Sequence, residues 1–180
     1  MPEIRQFPET RVAFIEERGP FDQVIPRGYE RLFAWLREQK IQPAGNSMAV
    51  FYDDPAKVAA ENQRVDTCVP IDPIVKPSGA VRIKTIGGGE VATIVYQGRH
   101  SRDQGYTDVY RWLKVQGYHD IGAPIETFQS QLGEELRAEI AVPVEKEKRG
   151  KRKASAINRE RGAIAKRPAR RTKSKGLNPE

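Results

Sequence analysis

Hydrophobic side chains recur along this chain with two different periods. Around residues 29–36 and 106–113 they return at every third or fourth position, which is the apolar stripe of a helix that lies on a sheet. Elsewhere, short apolar runs bounded by Gly, Pro or Asp are typical of strands. The predicted strands are 4–7, 12–17, 48–52, 65–71, 81–86, 90–96, 125–129 and 138–144.

The same elements occur twice, about 77 residues apart. Residues 31–45 align with residues 108–122 without a gap, and each copy has the order β-β-α-β-β. A repeat of this length in two copies predicts half-domains at about 3–75 and 80–144, related by a pseudo-twofold axis. Within each copy, the turn residues at 8–11 and 87–89 indicate that the first two strands form a hairpin.

Strands interrupted by one helix per copy predict an α+β fold, in which two β-α-β-β half-domains form an antiparallel sheet with both helices on one face. A groove is expected between the halves. Positions at which the two copies differ are therefore where a function is expected.

Charge separates the end of the chain from the rest. From Glu145 onward there are fourteen Lys and Arg against four Glu, whereas residues 1–144 carry 17 basic and 20 acidic side chains. With almost no apolar content, residues 145–180 are expected to be a disordered basic tail, and 1–144 the folded domain. The single cysteine, Cys68, excludes an intrachain disulfide, and no apolar run approaches the roughly 18 residues of a membrane span. We expect a cytoplasmic monomer without membrane contact.

Three segments carry a family resemblance. Met48–Pro55, then Arg64–Ile71, and finally Arg137–Val144 resemble the strands of GyrI-like small-molecule-binding domains, which also form the effector-binding part of multidrug-responsive transcription regulators. The resemblance covers about residues 3–144. It implies a stand-alone domain shaped as a saddle, with a groove between the helices that takes aromatic, often cationic, molecules. Gly98–Ser101 departs from the Gly-Pro-aromatic sequence usual in the family.

Glu126 is the first candidate site residue. The repeat aligns it with Ala49, so an acid in one copy replaces a small apolar residue in the other. It lies in 122–128, which matches the family strand whose glutamate forms the floor of the groove, and on a strand it shares a face with Phe128. A carboxylate beside aromatic rings favours a lipophilic cation. The alternative is a solvated glutamate on the opposite face.

Aromatic residues supply the other candidates. Trp35 and Trp112 occupy equivalent helix positions and are hypothesised to line opposite walls of the groove, although packing in the core is an equal alternative. Phe51, Tyr96 and Tyr106 are further candidate ligand contacts, with the same alternative.

No residues indicate a metal or a cofactor. His100 and His119 lack partners at metal-binding spacing, and no nucleophile–base set can be assembled.

Three functions follow. The first is binding of an aromatic cation for sensing or sequestration, with Glu126 as counter-ion. The second is hydrolysis of strained electrophilic compounds, as in some relatives of the family, with Glu126 as general base. The third is an inhibitor or nucleic-acid-associated protein, whose basic tail binds phosphates weakly and without sequence preference, or is merely solvated.

Overall fold

The structure, a computed structural model, describes residues 1–130 and 135–147, which belong to one unit, Met1–Glu147. This part of the chain contains two α-helices and nine β-strands, which confirms the α+β class. The helices are α1 (Phe21–Glu38) and α2 (Arg102–Gln116). The strands are β1 (Glu3–Gln6), β2 (Thr10–Arg18), β3 (Met48–Phe51), β4 (Arg64–Pro70), β5 (Arg82–Ile86), β6 (Glu90–Gln97), β7 (Tyr118–Asp120), β8 (Ile125–Phe128) and β9 (Arg137–Lys146).

All strand pairs in this sheet are antiparallel. Eight strands follow the order β1-β6-β9-β8-β3-β4-β2-β5, and β7 pairs with β9 beside this path. The first four strands of this order are equivalent, in reverse, to the last four. The pseudo-twofold axis therefore passes between the central strands β3 and β8. There Ala49 lies directly opposite Glu126.

The predicted hairpins are wrong, because the two halves exchange their first strands. β1 pairs with β6 of the second half, and β5 pairs with β2 of the first half. The connections 7–9 and 87–89, which carry the chain from one half to the other, contact each other. Phe7 N donates to Gly89 O at 2.9 Å, and Gly88 N donates to Phe7 O at 2.9 Å. Gly87 permits this meeting, because it has φ +84° and a Cβ there would lie 2.3 Å from the carbonyl oxygen of Pro8. The half-domains 3–75 and 80–144 are therefore interlocked.

Both helices lie on one face of the sheet, as predicted. α1 packs on β2 and β4, and α2 packs on β6 and β9. Residues of α1 share a buried cluster with Ala49, while Tyr106 of α2 contacts Glu126, and directly opposed residues of two strands point to the same face. A second buried apolar cluster, which includes Val50, Cys68 and Ile125, lies on the other face.

A glycine allows each helix to approach the sheet closely. Gly28 in α1 and Gly105 in α2 are equivalent in the repeat, and both are buried. A Cβ on Gly28 would lie 2.6 Å from Oγ1 of Thr67, and one on Gly105 would lie 3.0 Å from Cδ1 of Ile140. The tyrosine that follows each glycine, Tyr29 or Tyr106, is thereby held near the centre of the sheet.

The folded domain extends past the predicted boundary at Val144. β9 continues to Lys146 because the short strand β7, which the sequence pattern did not predict, pairs with residues 144–146. Residues 148–180, most of the predicted basic tail, lie outside the described residues. No helix in the described part of the chain is long and apolar enough to cross a membrane.

Candidate functional site

The site forms at the centre of the sheet, on the face covered by the helices. Glu126 on β8 is only 1% exposed, although it is charged and lies beside the pseudo-twofold axis. Three side chains donate hydrogen bonds to it. Tyr96 Oη on β6 bonds its Oε2 at 2.8 Å, Tyr106 Oη bonds its Oε1 at 2.8 Å, and Arg102 Nε at the start of α2 bonds its Oε1 at 2.7 Å.

Arg102 provides the positive charge of the site. Besides its Nε contact, a terminal guanidinium nitrogen lies 2.6 Å from Glu126 Oε1. The guanidinium carbon is 4.7 Å from the ring centroid of Phe51 and 5.2 Å from that of Tyr106. These distances are typical of cation–π contacts. The site therefore holds a cation against two aromatic rings, paired with a buried carboxylate.

Burial and charge keep the two phenols protonated. Burial raises the pKa of Tyr106 far above its ordinary value, and the negative charge of Glu126 raises it further. The same two causes raise the pKa of Tyr96. Burial acts to lower the pKa of Arg102, but attraction to Glu126 and the hydrogen bond to it outweigh this effect, so the pKa is raised. Both tyrosines are thus hydrogen-bond donors, and Arg102 is a cation, at any physiological pH.

The first half of the repeat lacks this ion pair, and at the position of Tyr96 it has Glu17, which pairs with Arg27 and Arg31 of α1. Ile25 stands where the second half has Arg102, and Ala49 stands where it has Glu126. Ile25 packs in a cluster with Ala49 and Phe51. Tyr29, the equivalent of Tyr106, donates instead to the backbone oxygen of Met48 at 2.6 Å. Both members of the ion pair are therefore specific to the second half.

The structure brings some of the candidate residues together and places others elsewhere. Phe51, Tyr96 and Tyr106 surround Glu126 and its partner Arg102. Phe128, on β8 two residues after Glu126, packs edge-on to Tyr29, with ring centroids 6.2 Å apart.

The tryptophans do not contact this ion pair. Trp35 is buried in the cluster beneath α1, and its Nε1 donates to Oγ of Ser78 at 2.7 Å. Trp112 packs, partly exposed, in the cluster beneath α2. The core alternative therefore describes Trp35, because its position at the edge of the helical stripe still faces the sheet.

Sequence reasoning missed Arg102, although a signal was present. The same alignment that opposes Ala49 and Glu126 opposes Ile25 and Arg102, so two charges of opposite sign replace two apolar residues. Arg102 also precedes Tyr106 by four residues, which places both on one face of α2.

A second polar cluster lies on the face of the sheet away from the helices. Asp66 on β4 accepts hydrogen bonds from Lys84 and from Tyr52, the latter at 2.7 Å. The repeat relates this pair to Arg5 with Glu139, which are joined by three hydrogen bonds to the carboxylate at 2.6, 2.7 and 3.1 Å. Because such a pair occurs twice, once on each side of the axis, this cluster follows the repeat and is part of the fold.

The Tyr52–Pro55 turn is also held by polar bonds. Asp53 accepts bonds from the backbone and side chain of Arg64, and Asp54 accepts from the backbone N of Ala56 at 2.9 Å. These contacts account for the acidic residues of the turn. Within residues 1–130 and 135–147, no group of three or more His, Cys, Asp or Glu side chains is placed to hold a metal ion.

Comparison with known proteins identifies a family. The chain matches the GyrI-like small molecule binding domain over residues 1–159. A DNA gyrase inhibitor of Escherichia fergusonii is 29% identical over 142 residues, which cover 77% of this chain and 79% of that protein. A DNA gyrase inhibitor of Salmonella typhimurium is 38% identical over 96 residues, which cover 52% of this chain and 61% of that protein.

Solved structures share the fold at lower identity. The EcmrR C-terminal domain has a TM-score of 0.64 at 20% identity, covering 82% of this chain and 98% of that one. A hydrolase from Listeria innocua has a TM-score of 0.60 at 10% identity, covering 80% and 91%. SAV2435, solved bound to tetraphenylphosphonium, has a TM-score of 0.55 at 13% identity, covering 81% and 94%.

Proposed function

Because the chain belongs to the GyrI-like family of small-molecule-binding domains, we propose that it binds an aromatic cation between its two halves, for sensing or sequestration. The proposed contacts are Glu126 as counter-ion and Phe51, Tyr96, Tyr106 and Phe128 as aromatic neighbours.

One observation carries this proposal: Glu126 is buried, and it holds a positive charge that lies against two aromatic rings. A buried carboxylate is costly unless a cation pairs with it, and a planar cation gains further from the ring faces. The site therefore has the chemistry that an aromatic cation requires. In the structure, the guanidinium of Arg102 meets this requirement, so a ligand must take its place.

The fold neighbour solved with tetraphenylphosphonium also supports the proposal. That ligand is an aromatic cation, so a saddle of this fold can accommodate one. At 13% identity the likeness concerns the fold, and the chemistry of the site in this chain rests on its own residues.

Calorimetric titration tests the proposal with a matched pair of ligands, an aryl amidinium and the neutral amide of the same aryl group. Glu126→Gln keeps the shape of the side chain and removes its charge, so affinity for the cation should fall by about 3–5 kcal/mol at most, or roughly two to nearly four orders of magnitude. Affinity for the neutral ligand should hardly change.

Glu139→Gln is the matched control. Glu139 lies on β9 next to β8, is paired with Arg5, and points away from the helices. Its loss should leave binding of both ligands unchanged. Equal cation affinities for the wild type and Glu126→Gln would refute the proposed site.

Hydrolysis is the alternative use of the same carboxylate, and a hydrolase shares the fold. Here Oε1 accepts hydrogen bonds from Arg102 and Tyr106, and Oε2 accepts one from Tyr96. A general base needs its oxygen next to a water, and because Glu126 is buried, a group that covers it would have to move first. Turnover by the wild type, with unchanged affinity and lost turnover in Glu126→Gln, would favour hydrolysis over binding.

Inhibition of DNA gyrase is a third candidate function, because a relative that matches along most of this chain carries that name. A supercoiling assay with purified gyrase tests it directly. If the folded domain inhibits, residues 1–147 should retain the effect of the full chain. If the basic residues beyond 147 act by binding DNA, inhibition should require them and should weaken steeply with salt.

A further inference from the structure

We propose that the Glu126 site is built for a planar cation that carries N–H groups, such as an aryl amidinium or aryl guanidinium, and that Arg102 is its resident occupant. A ligand then binds by exchanging with the guanidinium of Arg102. This inference rests on the proposed function, and it names both the chemical class of the ligand and the residue that sets the specificity.

The hydrogen bonds at Glu126 define the class of cation. Oε1 has contacts at 2.7 and 2.6 Å with two nitrogens of the guanidinium, in addition to the Tyr106 hydroxyl. A cation without N–H groups leaves that oxygen with a single donor in a site that is closed to solvent. An amidinium can direct two N–H groups at one carboxylate, as the guanidinium does here.

The rings define the shape of the ligand. The guanidinium carbon of Arg102 lies within cation–π distance of Phe51 and Tyr106, which belong to different halves of the molecule. A flat cation has the shape of the group that lies there, whereas a trimethylammonium group is tetrahedral and bulkier. Because aromatic rings also bind quaternary ammonium groups, the N–H groups carry the main discrimination.

The position of Arg102 allows the exchange. It is the first residue of α2, directly after a single 3-10 turn at Arg99–Ser101, and its side chain is 25% exposed while Glu126 is 1% exposed. A rotation of this one side chain at a helix end opens the carboxylate to a ligand. The sheet and the rest of the helix need not move.

The first half of the repeat provides a natural control for folding. Ile25 and Ala49 occupy the two equivalent positions and form a buried apolar contact there. Arg102→Ile/Glu126→Ala removes both charges, as in the first half. With Tyr96→Phe added, so that this buried hydroxyl does not lose its acceptor, the resulting symmetrised variant should fold without any cation in the site.

Chemical rescue tests the site without an aromatic ligand. Arg102→Ala leaves a space that N-ethylguanidinium matches atom for atom. At about five times its Kd, this probe should raise the melting midpoint of the variant by roughly 2–4 °C. Ethyltrimethylammonium, which has no N–H group, should not. Neither probe should stabilise the wild type, the symmetrised variant or Arg102→Ala/Glu126→Gln.

Rescue by ethyltrimethylammonium to the same extent, or no rescue by N-ethylguanidinium, would overturn the assignment. If Arg102→Ala does not fold alone, the measurement becomes its refolding yield with each probe. A yield that N-ethylguanidinium does not raise, while the symmetrised variant refolds, overturns the assignment equally.

Titration with 2-naphthamidine and trimethyl(2-naphthyl)ammonium then tests the exchange. The amidinium should bind the wild type more tightly than the ammonium, and Arg102→Ala should bind it at least tenfold more tightly than the wild type, because no internal cation has to leave. Unchanged or weaker binding by Arg102→Ala contradicts the exchange. If rescue succeeds but neither aryl cation binds any variant, the proposed function fails while the chemistry of the site stands. If the aromatic cations bind through Glu126 but rescue fails, the proposed function stands and the assignment of Arg102 as resident occupant is overturned.

Discussion

Replacing Arg102 with isoleucine, the residue at the equivalent position of the first half, should destabilise the protein in a pH-dependent way. The guanidinium is the cation paired with Glu126, which is 1% exposed. Without it, the carboxylate must either remain buried and unpaired or take up a proton. The two tyrosine donors remain, but neither carries a positive charge.

The cost of protonation gives the upper limit of the ionisation penalty. A glutamate has an ordinary pKa of about 4.3, and keeping it protonated costs about 1.36 kcal/mol for each pH unit above that value. This pH-dependent part of the loss of stability is therefore at most about 3.7 kcal/mol at pH 7 and about 1 kcal/mol at pH 5. Because the folded variant then binds a proton that the unfolded chain releases, its stability falls as pH rises through this window.

Urea denaturation at pH 5, 6 and 7 measures the effect. Arg102→Ile should lose stability relative to the wild type as pH rises. Arg102→Ile/Glu126→Ala, which leaves the hydroxyls of Tyr96 and Tyr106 without their acceptor, should show a loss that does not depend on pH. A penalty for Arg102→Ile that is the same at all three pH values would show that Glu126 and Arg102 are not coupled as the structure places them.

Three further changes have defined outcomes. Gly87→Ala should destabilise the fold by several kcal/mol in urea denaturation, because its Cβ would overlap the Pro8 carbonyl. Gly79→Ala, with φ +61° and no atom within 4 Å of the added carbon, should cost only about 1–2 kcal/mol. Equal costs would contradict the close contact between the connections 7–9 and 87–89. Tyr96→Phe should cost about 1.5–3 kcal/mol of stability, since it removes a donor to a buried carboxylate, and no change in the unfolding midpoint would exclude that bond. Truncation after Glu147 should leave the thermal midpoint unchanged and abolish any DNA affinity. Truncation after Val144 should lower the midpoint, because it removes part of the β7–β9 pairing. A lower midpoint on truncation after Glu147 would show that later residues pack on the domain.

The sequence pattern predicted the elements well and their pairing less well. Periodicity located both helices and eight of the nine strands, because it depends on which residues are buried. It could not identify the partner of a strand. The residues at 8–11 and 87–89 have turn chemistry, but they connect strands of different halves, since Gly87 and Gly88 turn the chain across the axis with φ of +84°.

The site was predicted in part for a similar reason. Comparing the copies identified Glu126, because a strand register relates residues that pair at the axis. Arg102 lies 24 residues earlier in a helix, and only the packing of α2 onto the sheet brings the two charges together. The pattern also could not decide whether Trp35 packs in the core or lines a groove, because a residue at the edge of a helical stripe can face either the sheet or a groove.

The difference between the halves also determines how a ligand should lie. β3 and β8 pair at the axis, so Ala49 and Glu126 are neighbours on one continuous floor, with the apolar residues of α1 over one side and the polar residues of α2 over the other. A cation at Glu126 cannot place its charge over Ala49 without losing its counter-ion and its hydrogen bonds. We therefore expect a single orientation, with the charged group towards Tyr96 and Tyr106 and the apolar body towards Ile25.

Ala49→Glu would add a second acid directly opposite the first. Because two like charges that close disfavour each other, this change should weaken the fold unless a dication is bound. Stabilisation of that variant by an aryl diamidine, and not by the matching monoamidine, would establish that both halves contribute to one site; equal stabilisation by the two compounds would show that the first half takes no part.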